Sequence, residues 1–127
     1  GDVYKRQDLF LDTIPHNAHA TANDALVAGL PVLTCLGDCF AGRVAASLIT
    51  AVGLPELVTS NLETYMQKAI RIANQPDEAI RLRAHLSKRS NKIWSRDAYT
   101  RDFEAALKTA YRNSLSDLDP SDFLVTK

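Results

Sequence analysis

Gly-Leu-Pro occurs twice in the chain, at residues 29–31 and 53–55, and each time it closes a stretch that reads as helix. Glycine supplies the left-handed residue that ends a helix, and a proline shortly after it forbids continuation. Short apolar runs lie around these stops: Leu9, Phe10 and Leu11, then residues 31–35 (PVLTC), then Leu57 and Val58. Runs of this kind, bounded by turn formers, read as buried strands. The predicted order is strand, helix, strand, helix, strand with short loops, the pattern of a parallel α/β sheet.

The first helix is predicted from His19 or Ala20 to Gly29, with Ala22, Ala25, Leu26 and Gly29 on one face. Pro15 keeps the loop before it out of helix. Residues 39–52 (CFAGRVAASLITAV) predict a second helix, closely packed because its residues are small. Beyond it the character changes. Ser60 and Glu63 stand at capping-box spacing, so a helix is expected from there to Gln75, with Leu62, Tyr65, Met66, Ala69, Ile70 and Ala73 at helical spacing. Another is expected from Pro76 through Ile80, Leu82 and Leu86 to about Lys92. A last runs from Ala98 to about Asn113 with Phe103, Ala106, Leu107 and Tyr111 inward. Residues 114–127 carry turn formers and are expected to form a flexible tail. Three strands are few for a doubly wound sheet, so further strands are expected upstream. Residues 1–7 (GDVYKRQ) lack periodicity and match the translation of a sequencing-library transposase adapter, so native sequence is expected from about Asp8.

Composition narrows the function. Net charge is zero, which gives no overall field toward nucleic acid or an anionic membrane. Neither is expected as a partner. No apolar run approaches the roughly 20 residues of a membrane span. Cys35 and Cys39 are the two cysteines, too few for a zinc knuckle or a disulfide framework. Reduced thiols and a cytoplasmic setting are the expectation.

The chemistry concentrates in residues 15–24 (PHNAHATAND), at the loop entering the first helix. In open α/β sheets ligands bind outside the carboxyl ends of the strands, where such loops lie. A helix N-terminus presents unpaired N–H groups and the positive end of the helix dipole, which together attract anions. His19, the Ala20 and Thr21 amides and the Thr21 hydroxyl suit phosphate oxygens. Asp24, one turn deeper on the same side, suits the vicinal hydroxyls of a ribose. Plainer readings stand beside these: Thr21 or Asn17 as an N-cap, Asp24 as an acid favoured by the dipole, Asp38 with Arg43 as a surface pair. His16 and His19 have metal-ligand spacing but no evident third ligand, so no metal site is expected. Neither a GxGxxG fingerprint nor a Walker A loop is present.

Residues 12–34 (DTIPHNAHATANDALVAGLPVLT), followed by 37–58 (GDCFAGRVAASLITAVGLPELV), resemble the C-terminal catalytic region of the protein O-linked N-acetylglucosaminyltransferases. This is the O-GlcNAc transferase and SPINDLY-like family, glycosyltransferase family 41. The resemblance runs from Asp8 to about Tyr111. It implies a GT-B fold, of which residues 8–113 would form most of the C-terminal, nucleotide-sugar-binding Rossmann-like half. His19, Ala20 and Thr21 would match the family's diphosphate-gripping H-T-T, and Asp24 its ribose-binding acid. His19 would also stabilise the leaving group. The implied activity is inverting transfer of N-acetylglucosamine from UDP-GlcNAc to protein Ser or Thr hydroxyls, with no cofactor and no metal. An upstream GT-B half and tetratricopeptide repeats are the implied partners within the parent protein, and the isolated segment is expected to be inactive. The alternatives are another GT-B nucleotide-sugar transferase or epimerase, and a non-catalytic partner-binding module of a repeat protein. The sequence departs from the family pattern at Ala20 (for Thr), Val27 (Trp), Leu36 (Pro), Asp38 (Glu) and Gly42 (Ser).

Overall fold

The computed structural model describes residues 6–116 and 119–125, and their side chains except those of 89–93. The adapter-like segment and the tail expected from the sequence thus lie partly outside the described residues. The chain forms two units that divide between Ile93 and Trp94. The first holds β1 (Phe10–Leu11), α1 (Ala20–Val27), β2 (Val32–Cys35), α2 (Val44–Ala51), β3 (Val58–Thr59), α3 (Leu62–Asn74) and α4 (Pro76–Ile93). Single 3₁₀ turns at Phe40–Gly42 and Pro55–Leu57 precede α2 and β3. The second unit holds α5 (Arg96–Leu115).

The strands form one parallel sheet in the order β1-β2-β3, with Phe10 beside Val32, Leu11 beside Leu33, Thr34 beside Val58 and Cys35 beside Thr59. All four residues of β2 are buried. Successive strand side chains point to opposite faces, so burial of all four means both faces of β2 are covered. Helices α1, α2 and α3 supply that cover. β1 departs from the expected buried strand: Leu11 is 53% exposed, and only two residues pair.

The repeated Gly-Leu-Pro has one physical explanation in both places. Gly29 and Gly53 have φ of 80° and 78°. Gly29 N–H donates to the Leu26 carbonyl and Leu30 N–H to that of Ala25; Gly53 and Leu54 do the same toward Thr50 and Ile49. These paired bonds are the Schellman ending, which satisfies carbonyls the helix leaves open. Leu30 and Leu54 are buried and pin each helix end into the core. Ala22, Ala25 and Leu26 form the buried face of α1, as their spacing predicts.

Other elements shift from expectation. The second helix starts at Val44 rather than at residue 39, because Gly42 lies against two backbone segments. A Cβ built there would sit 3.0 Å from the Pro15 carbonyl oxygen and 3.1 Å from the Gly37 Cα. That crowding holds residues 40–42 in a tight turn. Asn61, not Ser60, caps α3: its extended backbone lets Oδ1 accept from Thr64 N–H at 2.9 Å. The inner face of α3 is Tyr65, Lys68, Ala69 and Ile72, while Leu62, Met66 and Ile70 are exposed. In α4, Leu82 and Leu86 are buried and Ile80 is 63% exposed. α5 begins earlier than expected because Ser95 caps it through Ala98 N–H, and it buries none of its residues; Phe103, Leu107 and Tyr111 are exposed rather than inward. Among the described residues no helix is long and apolar enough to cross a membrane.

Candidate functional site

The loop from Asp12 to His19 leaves the carboxyl end of β1 and is built around one carboxylate. Asp12 is 5% exposed. Its Oδ1 accepts from Thr13 N–H at 2.9 Å and from Ala18 N–H at 2.7 Å, and its Oδ2 accepts from the Thr34 hydroxyl at 2.6 Å. The Thr34 carbonyl in turn accepts from the Thr59 hydroxyl at 2.9 Å, and Tyr65 OH donates to the Asp12 carbonyl at 2.9 Å. This chain ties the ends of all three strands and α3 to the loop. Burial pushes the Tyr65 hydroxyl above its ordinary pKa, with electrostatic interaction from Asp12 and then Cys35 adding to the effect.

Within the loop, Thr13 Oγ1 donates to the His16 carbonyl at 2.6 Å and Asn17 Nδ2 to the Thr13 carbonyl at 3.2 Å. Asn17 N–H reaches across to the Ala41 carbonyl at 2.9 Å, joining this loop to the one that follows β2. Part of the polar cluster is therefore scaffold: Asp12, Thr13 and Asn17 are used up in shaping the backbone.

The rest is differently placed. His19 is the N-cap of α1, yet no side chain caps that helix. The N-cap alternatives for Thr21 and Asn17 are thereby set aside, and no acid occupies the first turn. Thr21 and Asp24 are exposed on α1. The His19 ring stacks on His16, with centroids 4.9 Å apart, and meets Phe40 perpendicularly at 6.2 Å. Its Nε2 is shielded from solvent without a hydrogen-bond partner, as is Asn17 Oδ1. A buried polar atom left unpaired costs on the order of 1–3 kcal/mol. The structure thus gathers His19, Ala20, Thr21 and Asp24 on one short helix at the carboxyl edge of the sheet. Arg43 donates to the Gly37 carbonyl at 3.2 Å and so braces the second loop, in place of the expected pairing with Asp38. Among the described residues no group of three or more His, Cys, Asp or Glu side chains could hold a metal ion. Cys35 is buried, Cys39 is exposed, and both are free thiols.

Sequence reasoning missed Asp12, Thr34, Thr59 and Tyr65 as a network, and Phe40 as a neighbour of His19. An acid at the end of an apolar run was the one available signal, and it does not identify its distant partners.

Comparison with known proteins identifies the family and the fold. Residues 4–103 match the description of glycosyl transferase family 41. The chain is 34% identical over 111 residues to a probable UDP-N-acetylglucosamine--peptide N-acetylglucosaminyltransferase SPINDLY of Arabidopsis thaliana, covering 87% of this chain and 12% of that protein. It is 33% identical over 102 residues to the UDP-N-acetylglucosamine--peptide N-acetylglucosaminyltransferase of Caenorhabditis elegans, covering 79% of this chain and 9% of that one. A solved structure of a Thermobaculum terrenum O-GlcNAc transferase mutant superposes with a TM-score of 0.77 at 35% identity, over 88% of this chain and 21% of its own. The parallel α/β arrangement is that of a segment of a GT-B catalytic region. The chain therefore belongs to glycosyl transferase family 41.

Proposed function

We propose that this segment supplies the diphosphate and ribose contacts of a transferase that moves N-acetylglucosamine from UDP-GlcNAc to Ser or Thr hydroxyls of proteins, with inversion and without a metal. The observation that carries the reading is the uncapped N-terminus of α1 beside an unpaired His19 Nε2. The names of the family relatives supply the donor and acceptor classes.

In this reading the diphosphate lies against the Ala20 and Thr21 amides, where the helix dipole is worth about 0.3–2 kcal/mol per negative charge. The Thr21 hydroxyl adds a donor. Asp24 accepts from the ribose hydroxyls. As the glycosyl bond breaks, charge grows on the β-phosphate, and a proton on His19 Nε2 meets it. Donors fixed in place before the reaction need no reorganisation, which is how electrostatic stabilisation lowers a barrier. These groups then do the work a divalent cation does elsewhere. Ala20 keeps the amide of the family's threonine and gives up its hydroxyl. The uracil contacts and the general base belong to the remaining part of the catalytic region, with the tetratricopeptide repeats further upstream.

The test is kinetic. In a longer protein that carries this segment and turns over UDP-GlcNAc, His19→Ala is expected to lower kcat by about 100- to 1,000-fold, the usual loss for one such donor. The Kd for UDP should move far less, because the interaction strengthens only in the transition state. Equal losses in kcat and UDP affinity would make His19 a binding residue without a role in the chemical step.

A further inference from the structure

The loop between β2 and α2 carries a phenyl ring, Phe40, that has no part in the diphosphate and ribose contacts. Phe40 is 81% exposed. Exposure of a single apolar side chain is ordinary and needs no explanation by itself. Its position is what matters. The ring stands perpendicular to the His19 imidazole with centroids 6.2 Å apart. The backbone that carries it is fixed by hydrogen bonds on both sides. Gly42 N–H donates to the Cys39 carbonyl and Arg43 N–H to that of Phe40, each at 3.0 Å, and Asn17 N–H fixes the Ala41 carbonyl between them. The close approach of Gly42 to Gly37 and Pro15 leaves this turn little room to move. A depression of about 340 Å³ adjoins the ring, and its lining includes Arg43 and Ser47.

We propose that Phe40 is the platform on which the apolar face of the donor's sugar ring rests, which makes it a specificity-determining residue. The inference depends on the diphosphate lying at His19 and the α1 amides. Given that anchor, the pyranose is joined to the β-phosphate through a single oxygen, so its ring lies beside whatever flanks His19. Phe40 flanks it. The C–H groups on one face of a pyranose carry partial positive charge, and a phenyl face carries the negative end of its quadrupole. Arg43 and Ser47 are the polar groups of the adjoining depression that could meet the sugar's outward substituents.

In a longer protein that carries this segment, calorimetric titration with UDP and with UDP-GlcNAc separates the platform from the diphosphate site. Because Phe40 is exposed, Phe40→Ala is expected to fold. It should leave UDP affinity within about twofold of wild type and weaken UDP-GlcNAc by about 5- to 10-fold, the loss of one aromatic contact. Phe40→Trp, which keeps a platform, should restore the preference for UDP-GlcNAc over UDP. Equal weakening of both ligands, or an unchanged UDP-GlcNAc affinity, overturns the platform while leaving the diphosphate site in place. A wild-type protein that binds neither ligand overturns the diphosphate reading and the platform with it.

Discussion

Asp12 shows how much a single carboxylate can organise. It accepts from two backbone amides and from the Thr34 hydroxyl while almost wholly buried. Hydrogen bonds to a charged acceptor are worth about 1.5–3 kcal/mol each, and donors left buried without a partner add a penalty of their own. Asp12→Ala is therefore expected to destabilise the chain by about 3 kcal/mol or more, read as a lowered midpoint in urea unfolding. A loss below about 1 kcal/mol would mean that water replaces the carboxylate without strain. The sequence displays Asp12 only as the residue that ends an apolar run. Its partners Ala18 and Thr34 lie 6 and 22 positions away; the turn of the loop brings the first to it and the paired sheet the second. By contrast, the grouping of His19, Ala20, Thr21 and Asp24 is local, set by the pitch of one helix, and for that reason was legible.

At the level of elements, what could be read depended on whether the signal was complete within a few residues. Both Gly-Leu-Pro endings were legible, because the left-handed glycine, the buried leucine and the proline are contiguous. The cap of α3 was misread because Ser60 and Asn61 are both competent caps, and the choice turns on which backbone is extended. The inner face follows from what α3 packs on, the sheet: Ile72 is inside while Met66 and Ile70 are not. α5 was read as having an inward face, yet all its residues keep contact with solvent; helical periodicity says that a stripe exists and not what covers it. Tyr65 is the tie between α3 and β1. Its pKa is raised in the fold, chiefly by burial, so the folded chain holds the phenolic proton more tightly than the unfolded chain does. The stability this contributes is fully present below the ordinary tyrosine pKa of about 10 and is lost as pH rises through the folded value. Tyr65→Phe should cost about 1 kcal/mol at neutral pH through the lost hydrogen bond and should flatten the decline in stability above pH 10. An unaltered decline in the variant would assign it to other groups.

On the scale of the molecule, the parallel sheet brings the loops after β1 and β2 to one edge, and the Asn17 to Ala41 bond fastens them together. Net charge is zero, so affinity for an anionic nucleotide has to come from local geometry and not from an overall field. The chain spans about an eighth of the SPINDLY relative's length, 12%. The central claim is that this edge grips a nucleoside diphosphate, with Asp24 on the ribose. Calorimetric titration of UDP into a longer protein that carries this segment, wild type and Asp24→Ala, tests it most directly. Asp24 is exposed and outside the first turn of α1, so the variant should stay folded. Loss of a charged hydrogen-bond acceptor is expected to weaken UDP by about 10- to 150-fold, or roughly 1.5–3 kcal/mol. UDP affinity unchanged in a folded Asp24→Ala protein would contradict the claim and return Asp24 to the solvated face of its helix.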